Sequence, residues 1–191
     1  MNRRTSLTYL GILATLGMSS FSLYKLIAFN TPPDLAYLYK KRRLLADLAE
    51  VIIPRTETPG AKDAGVQDFI IDMIALGSDV MPQRIFIEGL KDLENYCIET
   101  YNKDFFSLTD TEKIGVLKHF ESKATYSNRL VNKIKDKLFG HAFFHRLKDL
   151  TVEGYCTSQV GATQGLAYDY LPSTYESCTM LTKNQRSWAT K

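Results

Sequence analysis

The sequence predicts an all-α fold: a compact helical domain with an irregular, ordered C-terminal tail, preceded by an N-terminal signal or anchor helix. Three observations carry this. Apolar residues recur at three- and four-residue steps over most of the chain from Leu35 to Leu150, the period of a helix with one buried face. No stretch alternates apolar and polar residues as a half-buried strand does. The breaks in the period fall on residues that start and stop helices.

Asp34, after Pro32-Pro33, is placed to cap a helix carrying Leu35, Leu38, Leu45, Leu48, Ala49 and Ile52, which Pro54 stops. Arg55 to Lys62 is a turn-rich loop. Asp63 is the expected cap of the next helix, whose apolar face is Val66, Phe69, Ile70, Met73 and Ile74, ending before Gly77. Asp79 starts another, with Pro82 in its first turn, where proline is tolerated, and Phe86, Leu90, Leu93, Cys97 and Tyr101 facing inward. Thr109-Asp110-Thr111-Glu112 is a capping box ahead of Val116, Leu117 and Phe120. Leu130, Ile134 and Leu138 predict a further helix that breaks near Gly140. Phe143, Phe144, Leu147 and Leu150 continue the rhythm to Gly154, and periodicity is lost from Tyr168 on.

The first residues read as an export signal. Arg3-Arg4 precede an uncharged stretch from Thr5 to Tyr24, rich in Gly, Ser and Thr and so only moderately hydrophobic. The adjacent arginines, with Leu7 three residues after Arg4, resemble a twin-arginine signal, the address of a pathway that carries folded proteins. No Ala-x-Ala-type cleavage site follows, so an uncleaved membrane anchor stays open. Residues 1–30 are therefore set apart as a leader, and 31–191 as one domain. The expected location is periplasmic, with membrane contact through the leader if it is kept.

The chain has 191 residues, with 24 Lys+Arg against 21 Asp+Glu, a net of +3. Part of that excess lies in the leader and in Lys40-Lys41-Arg42-Arg43, read as a solvated helix face, so no nucleic-acid partner is indicated. Of the three cysteines, Cys97 falls on an apolar helix face and reads as a buried, inert thiol. Cys156 and Cys178 lie in the irregular C-terminal part, and are the favoured pair if a disulfide forms.

The chain lacks a GxGxxG fingerprint, a phosphate loop and a GxSxG elbow. His141 and His145 stand four apart, a spacing that can chelate a metal, but the Glu of HExxH is missing and ordinary polar histidines are expected. His119 reads as a helix-surface residue, and Asp63, Asp68 and Asp72 as a cap and surface charges. No catalytic, cofactor-binding or metal-binding residue is assigned.

Two segments put glycine beside hydroxyl and aromatic side chains, as tight turns or contact surfaces do. The first runs from Ile52-Ile53-Pro54 through Thr56-x-Thr58-Pro59-Gly60-Ala61-x-Asp63-Ala64-Gly65-Val66. The second is Gly154-Tyr155-x-Thr157-Ser158-x-x-Gly161-Ala162-Thr163. With a Tyr and a Pro a few residues on, then a Cys and a late Trp, they resemble the gluconate 2-dehydrogenase subunit 3 family from about Leu44 to Trp188. Cys156 stands where that pattern usually has an aromatic, and Pro172-Ser173 where Pro-Gly is usual. The resemblance implies a non-catalytic small subunit of a periplasmic flavin-dependent sugar or alcohol dehydrogenase. FAD would sit in a large partner of the glucose-methanol-choline oxidoreductase type, electrons would leave through a cytochrome c or quinone, and the small subunit would escort the large one through export. The expected partner surface is Tyr155, Thr157, Ser158, Tyr168, Tyr170, Tyr175 and Trp188, whose aromatics either anchor an interface or pin the tail onto the helices. The rivals are a stand-alone exported metal enzyme using His141 and His145, and an exported helical protein with another partner.

Overall fold

The computed structural model describes residues 32–124, 142–171, 178, 180 and 183–189. The chain divides at Pro33, with Asp34–Lys191 as one unit. Arg3, Arg4, Leu7, His141, Tyr175 and the helix expected around Leu130 to Leu138 lie outside the described residues. None of the described helices is long and apolar enough to cross a membrane.

The first helix, α1 (Leu35–Lys40), begins where expected: the Asp34 carboxylate accepts from the Tyr37 amide at 3.1 Å. The single helix expected to run on to Ile52 is two. Lys41 leaves helical geometry at φ −93°, ψ 14°, and α2 (Arg42–Ile52) follows. The apolar rhythm crosses the break because Leu38, Leu44, Leu45 and Leu48 all reach the same core. Ile53 closes α2 by donating its amide to the Ala49 carbonyl, and Pro54 ends it.

Helix α3 (Val66–Ala75) is not capped by Asp63. Its N-cap is Gly65, at φ 70°, in the left-handed region that glycine enters without strain. Helix α4 (Val80–Tyr101) ends at Asn102, φ 51°, a residue type that tolerates that region. Buried Gln83 ties the two helices by donating its amide to the carbonyls of Ala75 and Ser78, both at 3.0 Å. Helix α5 (Asp110–Ala124) carries the expected capping box: Glu112 accepts from the Thr109 amide at 2.7 Å, and the Thr109 hydroxyl accepts from the Glu112 amide at 3.4 Å. Helix α6 (Phe143–Thr157) passes through Gly154 rather than stopping there.

Helix α6 contacts α2, α3, α4 and α5. Leu45, Leu48, Ile70, Ile74, Leu90, Leu93, Leu147 and Leu150 are fully buried around it. Each such side chain contributes about 1.5–3 kcal/mol by leaving water. Phe86 and Phe143 meet edge to face at 5.1 Å between ring centroids, in the favoured aromatic geometry. After α6 the chain makes a π-helical turn, Gly161–Gly165, and the tail returns to it. Ala167 pairs with Trp188 through an Ala167 amide to Ser187 carbonyl bond and an Ala189 amide to Ala167 carbonyl bond, both 2.8 Å. No strand forms among the described residues beyond this isolated parallel bridge.

Candidate functional site

The two glycine-rich segments lie far apart in sequence and meet in space. The Tyr155 hydroxyl, on the last turn of α6, donates to the Pro59 carbonyl at 2.8 Å. Tyr155 is buried, at 7% exposure, so its ring faces the molecule's own interior instead of the partner surface expected for it. Gly154 and Gly165 make room for this arrangement. A methyl group at Gly154 would lie 2.7 Å from a ring carbon of Phe69 on α3, and one at Gly165 would collide with the Tyr155 ring. Gly154 and Gly165 are close-packing positions, while turns form at residues 61–65 and at Gly161–Gly165.

Glu50, on the last turns of α2, organises the first segment. Its carboxylate accepts from the backbone amides of Arg55 and Lys62, both at 2.9 Å. The Ala61 amide donates to the Ile53 carbonyl at 3.0 Å, and the Gly60 amide to Asp63 at 3.2 Å. Gly60 is held so close that a methyl group there would lie 2.5 Å from a Glu50 oxygen and 2.7 Å from the Arg55 nitrogen. Asp63 thus serves the loop, and its second oxygen lies 3.6 Å from Arg55. Lys62 reaches back to Asp47 at 2.7 Å. The loop is stapled at its base, while Pro54, Arg55, Thr56 and Glu57 at its tip are exposed.

The hydroxyls of the second segment are turned to local backbone. Thr157 donates to the Glu153 carbonyl at 2.7 Å. Ser158 donates to the Tyr155 carbonyl at 2.8 Å and accepts from the Gly161 amide at 2.9 Å, joining α6 to the turn that follows. Tyr168, Tyr170 and Trp188 are exposed, together with Leu171 and Met180. Arg186 fixes this tail by donating to the Gln164 carbonyl at 2.9 Å. The structure therefore splits the expected surface: Tyr155 and Ser158 brace the junction, while Tyr168, Tyr170 and Trp188 stand at the surface.

The charged groups correct other expectations. Lys41 and Arg42 are not merely solvated. Lys41 binds Glu94 of α4 at 2.5 Å, and Arg42 grips Asp68 of α3 with two bonds of 2.6 Å that hold its carboxyl below the usual range. Tyr37 also donates to Glu94, and burial beside that carboxylate raises its hydroxyl pKa. His119 is half-buried and stacks on Tyr96 at 4.1 Å, a tertiary contact that the spacing of α5 does not reveal. Cys97 is fully buried, and burial, with Glu94 and Asp104 nearby, pushes its thiol up to about 11. Cys156 and Cys178 are exposed free thiols, so the favoured bridge is not formed in this structure. Cys156 sits on the outer face of α6 and Cys178 out in the tail.

A cavity of about 390 Å³ lies between α4, α5 and the start of α6. Its wall is largely apolar, with Glu88, Asp92 and Lys123 as its charged members. No group of three or more His, Cys, Asp or Glu side chains among the described residues is placed to hold a metal ion.

The family described as gluconate 2-dehydrogenase subunit 3 matches residues 40–172, a stretch that includes both segments of this junction. No curated protein and no solved structure matches the chain.

Proposed function

The chain belongs to the gluconate 2-dehydrogenase subunit 3 family, and from that premise we propose that it is the non-catalytic small subunit that binds and escorts a large flavin-dependent dehydrogenase subunit. The family supplies subunits of multi-subunit dehydrogenase complexes, so partner subunits are implied. The proposed partner is an oxidoreductase of the glucose-methanol-choline type that holds FAD and oxidises a sugar, sugar acid or alcohol. Electrons pass onward to a cytochrome c or quinone. The complex works in the periplasm, reached folded through the twin-arginine leader.

The family match over most of the chain is the observation that carries this reading. The exposed aromatics of the tail supply the physical support. Tyr168 and Tyr170, just after the Gly161–Gly165 turn, and Trp188, on the segment bridged back to Ala167, present large ring area at low entropy cost on binding. The deciding experiment co-expresses the chain with its large subunit and replaces Arg3 and Arg4 by Lys. Both proteins should then stay in the cytoplasm. Undiminished delivery of the flavoprotein to the periplasm would refute the escort role.

A further inference from the structure

We infer that a groove between α2, α5 and α6, with the stapled loop tip beside it, is a second contact surface for the partner subunit, and that it takes an apolar side chain flanked by a carboxylate. This rests on the reading that the chain binds a large dehydrogenase subunit. The groove measures about 190 Å³, and Val51, Ile52, Leu117 and Phe144 form its apolar wall. Small-molecule sites begin near about 300 Å³, so this one is scaled to a side chain rather than to a sugar or a flavin. Ile114 stands at the groove with 44% of its surface exposed, on the side of α5 that also carries Leu117 and Lys118. An isoleucine left in water beside an apolar hollow is relieved when another apolar group covers both.

The polar surroundings choose the neighbour of that group. Lys118 is exposed and has no carboxylate partner among the described residues. Lys148 pairs with Glu121 at 3.3 Å across the groove. Arg55 follows Ile52 by three residues, at most about 11 Å of chain, and keeps 73% of its side chain exposed. Asp63 and Glu57 balance Arg55 at the loop and Glu121 balances Lys148, so Lys118 is the uncompensated charge of the groove wall and favours a carboxylate over a cation. The loop tip adds shape. Its base is fixed by Glu50, and the Thr56 amide closes the tip on the Thr58 carbonyl at 3.0 Å. The side chains of Thr56 and Glu57 make no hydrogen bond among the described residues, so the fold does not use them. A pre-ordered loop loses little entropy on docking, which is how a small polar surface gains affinity.

The test measures affinity between the purified chain and its large subunit for the parent, Ile114→Ser and Lys118→Glu, with melting temperature in parallel. Each variant should bind about ten-fold more weakly or worse, a change of about 1.4 kcal/mol, while melting within about 2 °C of the parent, because both side chains are exposed. Undiminished affinity of both variants overturns the proposal. Hydrogen exchange on the parent complex gives a second reading that needs no variant. New protection at residues 51–58 and 114–118 supports the surface, and protection confined to the tail overturns it. Failure of the parent chain to bind any large subunit would instead refute the escort reading itself.

Discussion

Replacing Gly60 by alanine should cost more stability than any surface substitution in this chain. The new methyl would lie 2.5 Å from a Glu50 carboxylate oxygen and 2.7 Å from the Arg55 nitrogen, distances that real methyl carbons do not hold. Either the loop backbone moves or Glu50 swings out and gives up its two amide bonds to Arg55 and Lys62. A hydrogen bond to a charged group contributes about 1.5–3 kcal/mol, and overpacking costs about 1–3 kcal/mol. Glu50 is only half-buried, so water compensates part of the loss, and about 3 kcal/mol in all is expected. For a chain of this size each kcal/mol moves the melting temperature by about 2–4 °C, so a drop of about 6–12 °C should appear in a circular-dichroism melt. The cause is checked in a Glu50→Ala background. There the substitution should cost clearly less, though not nothing, since the Arg55 nitrogen remains in the way. Melting within 2 °C of the parent, or a full and undiminished loss in the Glu50→Ala background, would refute the reasoning.

Tyr155→Phe removes the hydroxyl that holds Pro59 and should lower stability by about 1 kcal/mol without changing affinity for the partner. Trp188→Ala should do the reverse, weakening the complex by about 2 kcal/mol with little change in melting. Isothermal titration beside thermal melts separates the two. Glu112 is held below its ordinary value by the Thr109 amide, so its contribution is present above the ordinary glutamate pKa, about 4.3, and is lost as pH falls through the lower folded value. Glu112→Gln should flatten the acid limb of the stability profile, and an unchanged limb would contradict the capping box. In the native protein kept reduced, a maleimide should label Cys156 and Cys178 quickly and Cys97 only after unfolding, as mass spectrometry of the adducts would show.

What the sequence made legible was what local pattern encodes. The apolar faces of α3, α4 and α6, the Asp34 cap, the stop at Pro54 and the Thr109–Glu112 box all depend on residues three or four apart, and all are present. The break at Lys41 was hidden because no Gly or Pro marks it and the apolar rhythm continues across it. Asp63 looked like a cap because it precedes an apolar face, but Gly65 supplies the left-handed turn and Asp63 is taken by the Gly60 amide. Gly154 read as part of a tight turn or a contact surface, and the contact is what the fold uses: its missing side chain leaves room for Phe69 on another helix. The junction was half legible. Both segments stood out as unusual, but Glu50 carries no local signal, because the amides it binds lie five and twelve residues later. An acidic residue near the end of a helix that runs into a Pro- and Gly-rich loop is the cue that would have found it. That Tyr155 turns inward while Tyr168 and Trp188 stay at the surface is a tertiary fact, which a list of aromatics cannot supply.

Co-purification decides whether this chain is, as proposed, the partner-binding small subunit of a flavin-dependent dehydrogenase. Tagged chain is drawn from membranes and periplasm of a host that also expresses the large subunit, then examined by native mass spectrometry and flavin absorbance. A stoichiometric complex is expected, in which the flavin and the dye-linked dehydrogenase activity travel with the large subunit, and a chain that is colourless and inactive once separated from it. A chain recovered free of any flavoprotein, or one that keeps the flavin or the activity by itself, would contradict it.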